Sequence, residues 1–486
     1  HRIDRVEFHP AYHELMQTAI AHGVHSLPWQ KENVGKAGAH VARAALLYMA
    51  FQNEAGHCCP ISMTYAAVPT LRKQPDLAAK FEALITAKTY DKNFAFYGGK
   101  SGITIGMGMT EKQGGSDIRA NTSRARAVAE PGPGKAYLLT GHKWFCSAPM
   151  SDAFLILAQT EKGVSCFFVP RFKPDGKPNS LQIQRLKDKL GNKSNASSEI
   201  EFTDAFGWLV GAEGRGVPTL IEMVNHTRLD CMIGASALMK QASLQAIHHA
   251  GQRSAFGKLL IEQPLMANVL ADLGLESEAA ARLTMRVASA YDQADKSSTE
   301  AAFKRIASAV AKYWICKRAP QMVAEALECF GGNGYVEESP MPRLFRESPL
   351  LGIWEGSGNV ICLDVLRALS KEPESVDAFI AEISKVAGQN KAFDRFVARL
   401  KREIFALKKN ADSKNARILA ARDRGARRLV EHMALALQAA LMLAQTPATV
   451  AETFIASRLT KPAHCYGTLT KLSAAKTKML LNRAYR

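Results

Sequence analysis

No run of about 18 or more uninterrupted apolar residues occurs in this sequence, so no transmembrane helix and no membrane partner are expected. No two cysteines form a CxxC pair. The nine (Cys58, Cys59, Cys146, Cys166, Cys231, Cys316, Cys329, Cys362 and Cys465) are scattered. An odd number without framework spacing excludes a disulfide scaffold and a structural zinc, and points to a reducing, cytoplasmic setting with no metal site. Internal repeats and low-complexity segments are missing too, which excludes solenoids and disordered tails. Acidic residues are in short supply: 45 Asp/Glu stand against 63 Lys/Arg, a net charge of +18. The deficit is uneven, because residues 371–486 hold 22 Lys/Arg against only 10 Asp/Glu. Such a region meets a polyanion, or is a solvated basic face that aids solubility. The chain opens on His1 and not on Met, so a further N-terminal piece, with any targeting signal in it, is expected ahead of it.

With 486 residues, 47% of them hydrophobic, the chain is globular and long enough for two to four domains. Four regions differ in texture. Residues 1–103 read as helix, with apolar residues at three- and four-residue spacings over His9 to Ala21, Lys36 to Gly56 and Pro75 to Leu84. Cys58-Cys59-Pro60 reads as a turn. Residues 104–212 carry short β-rich runs (137–140, 153–158, 164–169, 199–202) between Pro/Gly/Asn turns, which predicts a small antiparallel sheet or barrel. Residues 213–370 return to long amphipathic helices, such as Met232 to Gln252, Pro264 to Asp292 and Thr299 to Glu328. Residues 371–486 are helical and basic, with an apolar stretch from His432 to Leu443. The fold class is α+β, mostly helical.

Five motifs carry chemistry. In Gly352-Ile353-Trp354-Glu355-Gly356-Ser357-Gly358-Asn359, a carboxylate sits between an aromatic residue and a flexible turn ahead of a helix-like run. Apolar neighbours desolvate Glu355 in part, which raises a carboxyl pKa and makes a better base. The same stretch also reads as an exposed Glu near a helix N-terminus, where the dipole favours it. Met107 to Asp117 offers small residues and hydroxyls to a flat heteroaromatic ring, or is a polar loop ending a strand. Gly141 to Ser147 brings Trp144 and Phe145 as planar faces beside Ser147, or as an aromatic core cluster. Arg253 to Lys258, with Gln263 behind it, suits a diphosphate, or is a helix end capped at Gly257. Gly331-Gly332-Asn333-Gly334-Tyr335 is a Gly-rich turn between helices.

As a set, in this order and at these separations, the motifs TE-x3-GSD, W-x2-S, R-x2-FG-x5-Q, GG-x-GY and aromatic-Glu-Gly resemble the acyl-CoA dehydrogenase flavoprotein family. The resemblance covers essentially the whole chain. GMGMTEKQGGSD, GHKWFCS, RLKDKLGNKSNASSEIEF and IWEGSGNVICLDVLR are most similar to the AidB, or adaptive-response, branch of that family, as is the added basic helical region.

The resemblance implies an N-terminal helical domain (1–103), a middle β-barrel-like domain (104–212), a C-terminal four-helix domain (213–370) and a basic helical region (371–486). It implies an FAD-dependent dehydrogenase of acyl-CoA or a related thioester, of ordinary or weak activity. Glu355 stands where the family has the base that removes the α-proton while the β-hydrogen leaves as hydride to flavin N5. Another branch carries its Glu just before Arg228; here that residue is Thr227, so no second base competes. Met107, Met109, Thr110, Ser116, Phe145, Cys146, Ser147, Gly331, Gly332, Trp354, Ser357 and Asn359 match cofactor-binding positions. Arg253, Phe256 and Gln263 match residues that reach the FAD diphosphate of a neighbouring subunit, which implies a homotetramer. Three departures bear on turnover: Lys112 follows Glu111 where Pro is common, Glu328 replaces Gln, and Trp354 replaces Tyr and narrows the substrate pocket. The branch further implies non-specific binding of double-stranded DNA, linked to the DNA alkylation response, with Arg417, Arg422, Arg424, Arg427 and Arg428 as the densest cluster. The alternatives are an ordinary dehydrogenase of lipid or amino-acid catabolism without a DNA role, and an acyl-CoA-binding sensor.

Overall fold

The computed structural model describes residues 4–409 and 413–485. The chain divides into two compact units, His1–Asp230 and Cys231–Arg486.

The first unit begins with four helices: α1 (Pro10–Ala21), α2 (Ala39–Asn53), α3 (Cys58–Leu71) and α4 (Pro75–Ile85). Helix α3 corrects the reading of Cys58-Cys59-Pro60 as a turn, because these residues are its first turn. The Glu54 carboxylate accepts from the Gly56 and His57 amides at 2.6 and 2.8 Å and fixes the chain entry. A proline is tolerated in the first turn, where the N–H groups have no intrahelical partner. Nearly every side chain of α3 is buried. A helix that is apolar all round loses the periodicity that betrays one.

Seven strands follow: β1 (Ile105–Gly108), β2 (Arg124–Ala127), β3 (Ala136–Ser147), β4 (Ala153–Thr160), β5 (Gly163–Pro170), β6 (Leu181–Leu186) and β7 (Ser197–Val210). Strands β4, β2, β3, β7 and β5 close on one another, with β1 added beside β4 and β6 beside β7. The expected all-antiparallel sheet is mixed instead. β1 runs parallel to β4 from Ile105↔Ala153 to Gly108↔Ile156, and β2 meets β4 parallel at Arg124↔Gln159. The interior is filled by Tyr137, Leu139, Phe154, Ile156, Phe167, Val169, Ile200, Phe202 and Leu209. They come from alternate positions, as the two-residue period of a strand requires.

Helix α5 (Gly216–Gln252) runs through the boundary into the second unit. There a small hairpin, β8 (Ser254–Ala255) and β9 (Lys258–Leu259), precedes α6 (Pro264–Gln293), α7 (Ser298–Glu328), α8 (Met341–Glu347) and α9 (Gly358–Lys371). The basic region supplies α10 (Pro373–Ser384), α11 (Lys391–Lys409), α12 (Ala416–Gln445), α13 (Ala448–Ile455) and α14 (Ala474–Tyr485). It is built into the same unit as the bundle. Arg458 bonds Asp272 and Glu276 of α6 at 2.5 and 2.9 Å, and Arg318 of α7 bonds Glu276 at 3.1 Å. Burial works to raise the Glu276 pKa, but the two guanidiniums outweigh it and hold the group at about 2. Gln438 of α12 accepts from the Trp314 indole at 2.9 Å. Among the described residues no helix is long and apolar enough to cross a membrane.

Candidate functional site

In the first unit, the Met107–Asp117 motif leaves β1 and folds back along β3. Thr110 pairs with Phe145 in an isolated antiparallel bridge, and the Trp144 amide donates to the Thr110 carbonyl at 2.9 Å. The Cys146 thiol lies 3.6 Å from the Met107 carbonyl, and Asn121 donates to the Met109 carbonyl at 2.9 Å. Met107, Met109, Thr110, Phe145, Cys146 and Ser147 are thereby brought together. Ser116 lies exposed further along the loop. Gly115 is required there, since a Cβ would stand 2.5 Å from the Thr110 hydroxyl.

The aromatic pair divides between two fates. Phe145 of β3 is 48% exposed, with the Lys187 ammonium 4.6 Å from its ring centroid, so part of its ring is open to a ligand. Trp144 is not a core residue either: the Lys187 ammonium sits 3.3 Å from its ring centroid, a cation–π contact, while bonding Glu199 at 2.6 Å. Cys146 is fully buried, and burial pushes its thiol up to about 12, so it acts through its backbone and packing. The Ser147 hydroxyl lies 3.4 Å from that of Ser197. Hydroxyls, strand-end backbone groups and an exposed ring form a donor set that fits a flat heterocycle with carbonyl and ring-nitrogen acceptors, as a flavin has.

What holds this corner is a buried ion pair that sequence reasoning missed. The Lys143 ammonium of β3 bonds the Glu111 carboxylate at 2.7 Å and the Leu157 carbonyl at 2.6 Å. Glu111 also accepts from the Thr122 amide at 2.6 Å, the Thr122 hydroxyl at 3.0 Å and the Ser123 amide at 3.2 Å. Burial alone would raise its pKa, yet Lys143 and these donors hold it at about 2. Burial draws the Lys143 ammonium down. One signal was available: Lys143 falls among the inward positions of β3, where a charge needs a partner.

In the second unit, the Arg253 motif forms the β8–β9 hairpin and not a helix cap. Phe256 (φ 52°) and Gly257 (φ 79°) are its two-residue tip. The hairpin is tied to α6 through Gln263, whose side-chain amide donates to the Ala255 carbonyl at 3.0 Å. Arg253 is exposed and Phe256 is 98% exposed. Gly331 and Gly332 lie exposed in a 3-10 turn after α7, with open space where a Cβ would stand. These positions present backbone and a guanidinium outward.

The Glu355 turn lies between a 3-10 turn (Leu350–Gly352) and α9. Glu355 is a non-glycine residue at φ 55°, followed by Gly356 at φ 97°. Strain of this kind persists where surrounding structure fixes it and clusters at functional sites. Glu355 and Trp354 are half-buried, Ser357 and Asn359 exposed. Lys312 of α7, 1% exposed, donates to the Gly356 carbonyl at 2.6 Å. Gly358 is enclosed, because a Cβ there would meet Lys317 at 2.9 Å and Arg427 and Tyr313 at 3.3 Å.

The five candidate arginines lie on the first half of α12, whose second half, from Leu429, is largely buried. Arg417, Arg424, Arg427 and Arg428 are exposed. At about 100° per residue, Arg417, Arg424 and Arg428 fall within about 40° of one another on one face. Arg422 points elsewhere and lies 3.4 Å from Asp423.

Comparison with known proteins fits this geometry. Residues 1–92 match the adaptive response protein AidB N-terminal domain. Residues 106–205 match the acyl-CoA dehydrogenase middle domain and residues 214–370 the acyl-CoA dehydrogenase C-terminal domain. The chain is 50% identical over 407 residues to AidB of Escherichia coli (strain K12), covering 83% of this chain and 73% of that protein. It is 30% identical to acyl-CoA dehydrogenase family member 11 of Caenorhabditis elegans over 421 residues, 83% of this chain and 66% of that protein. The crystal structure of C. elegans ACDH-11 in complex with C11-CoA superposes with a TM-score of 0.83 at 26% identity, covering 95% of this chain and 82% of that one. An acyl-CoA dehydrogenase complexed with FAD from Bacillus anthracis shares the fold, with a TM-score of 0.72 at 16% identity over 97% of this chain and 79% of that one. With half its aligned residues shared with AidB and all three domain patterns in order, the chain belongs to the acyl-CoA dehydrogenase family.

Proposed function

We propose that this protein is an FAD-dependent dehydrogenase of acyl-CoA thioesters in which Glu355 is the base. The observation that carries the proposal is the Glu355 turn: a half-buried carboxylate in a left-handed backbone conformation, flanked by Trp354 and anchored through Gly356. An α-C–H beside a thioester is a weak acid, so its removal needs a positioned carboxylate and an electron sink acting together. Glu355 takes the α-proton onto its carboxylate. Bound FAD supplies the sink that accepts the β-hydrogen as hydride. Thr110, Ser147 and the backbone of Met107 to Met109 hold the flavin ring, with Phe145 against it; Ser357 and Asn359 are cofactor-binding positions by resemblance to the family. Arg253, Phe256 and Gln263 serve the FAD diphosphate of a second copy in a homotetramer, and Gly331 and Gly332 are further cofactor-binding positions. The complex of the C. elegans relative with C11-CoA supports a thioester ligand.

The test is an anaerobic titration with short, branched and long acyl-CoAs. The flavin band should bleach with at least one class, and Glu355→Gln should slow bleaching by about 10²–10⁴-fold, the usual contribution of a general base. Unchanged bleaching in Glu355→Gln would remove Glu355 from the role.

The exposed face of α12 favours a second activity, non-specific binding of duplex DNA linked to the alkylation response. A retardation assay over a salt series tests it. Binding that weakens steeply with salt is expected. Absence of binding at low salt leaves an ordinary dehydrogenase or an acyl-CoA sensor.

A further inference from the structure

We propose that Lys312 is a positioning residue for the base, holding the Glu355–Gly356 turn through the Gly356 carbonyl. The inference rests on the reading of Glu355 as the base. Lys312 lies on α7 in a run of buried residues from Ile306 to Cys316, and is itself 1% exposed. An ammonium in such surroundings is retained only against a partner. The partner is a main-chain carbonyl 44 residues further along the chain, at 2.6 Å.

The identity of that carbonyl is what matters. Ser357 caps α9, and its carbonyl accepts the first helical bond, from the Ile361 amide at 3.0 Å. The Gly356 carbonyl lies one residue too early to join the helix. On the other side, the last turn closes with a 3-10 bond from the Ile353 amide and an α-type bond from the Trp354 amide, both to the Leu350 carbonyl. Glu355 and Gly356 therefore sit between two regular segments, both in the left-handed region, where a glycine leaves the backbone most freedom to swing. Lys312 supplies a fixed point there. A carboxylate must lie within hydrogen-bond reach of the proton it takes, so a turn that wanders loses rate before it loses binding.

Lys312→Met keeps the stem and removes the donor; Lys312→Gln restores a shorter donor. Three quantities separate positioning from plain stability: kcat and KM for a reducing acyl-CoA, flavin content, and hydrogen–deuterium exchange of residues 352–359 in flavin-free protein. Lys312→Met should lower kcat by about 10²-fold, as a misplacement of about 1 Å does, with KM and flavin content close to wild type. Exchange of 352–359 should accelerate while α7 keeps its protection, and Lys312→Gln should regain part of both. Unchanged kcat and exchange in Lys312→Met would overturn the proposal. So would parallel loss of α7 protection, flavin and activity in both variants, which marks a purely structural lysine. Glu355→Gln serves as the control: if it turns over normally, the reading of the base fails whatever Lys312 does.

Discussion

Removing the Lys143 ammonium should loosen the corner that holds Thr110 and Phe145, and its cost follows from the geometry. Lys143 and Glu111 are 0% and 2% exposed at 2.7 Å. Taking one partner from a buried pair costs about 3–5 kcal/mol, because the remaining charge stays buried, whereas replacing both with apolar residues is often near neutral. Lys143→Met should therefore cost about 3 kcal/mol or more, at the lower end because Thr122 and Ser123 still donate to Glu111. Glu111→Gln combined with Lys143→Met removes both charges and keeps an amide oxygen for the Thr122 and Ser123 donors, so it should cost less than Lys143→Met by about 1 kcal/mol or more. The pH dependence has a defined sign. Glu111 is held at about 2 when folded against an ordinary 4.5, so its contribution is present above pH 4.5 and lost as pH falls toward 2. The pair's net contribution is smaller than the Glu111 shift alone would give, because burial draws Lys143 down. Two compact units make global unfolding a poor probe, so the assay is hydrogen exchange of peptides from β3 and β4, read as local opening free energies. Equal exchange in Lys143→Met and the double variant, or a cost under about 1 kcal/mol for Lys143→Met, would refute the reasoning.

Three other outcomes follow from single features. Phe256 is 98% exposed at a hairpin tip, so Phe256→Ala should shift the stability of the flavin-free protein by no more than about 0.5 kcal/mol. If a second copy covers that ring, the same variant should lower FAD retention and oligomer mass, measured by absorbance and light scattering. Replacing Arg417, Arg424 and Arg428 together with Ala should flatten the salt dependence of DNA binding by about three in log–log slope, read by fluorescence anisotropy. Arg422→Ala, with its guanidinium beside Asp423, should change that slope least.

Local pattern carried much of this protein. Apolar residues at three- and four-residue spacings marked α1, α2, α4, α6 and α7 within a few residues, most plainly in α4, which buries Leu77, Phe81 and Ile85 along one face. β-rich runs between turn residues marked β4 and β5 within two residues, but only four residues each of the longer β3 and β7. The motif set marked the family, since glycines, hydroxyls and a lone carboxylate at fixed separations are constrained by chemistry more than by packing. Helix α3 escaped because it is buried on every side and carries a proline in its first turn. β1, β2 and β6 escaped because runs of four to six residues carry too little pattern.

The sequence by itself determined that there are helical and β regions in this order and that the β region sits between them, and it singled out Glu355 and the Thr110–Ser147 residues proposed for the site. Only the tertiary structure decided that β1 runs parallel to β4, that Glu111 and Lys143 form one buried pair, and that Lys312 reaches the turn after the carboxylate. It also decided that Arg458 binds the basic region to α6 and that Arg422 differs from its neighbours on α12. The physical reason is range. Periodicity, capping and turn chemistry act over a few residues, whereas an ion pair between positions 111 and 143, or a lysine and a carbonyl 44 residues apart, exists only once packing has brought them together and removed the water between them.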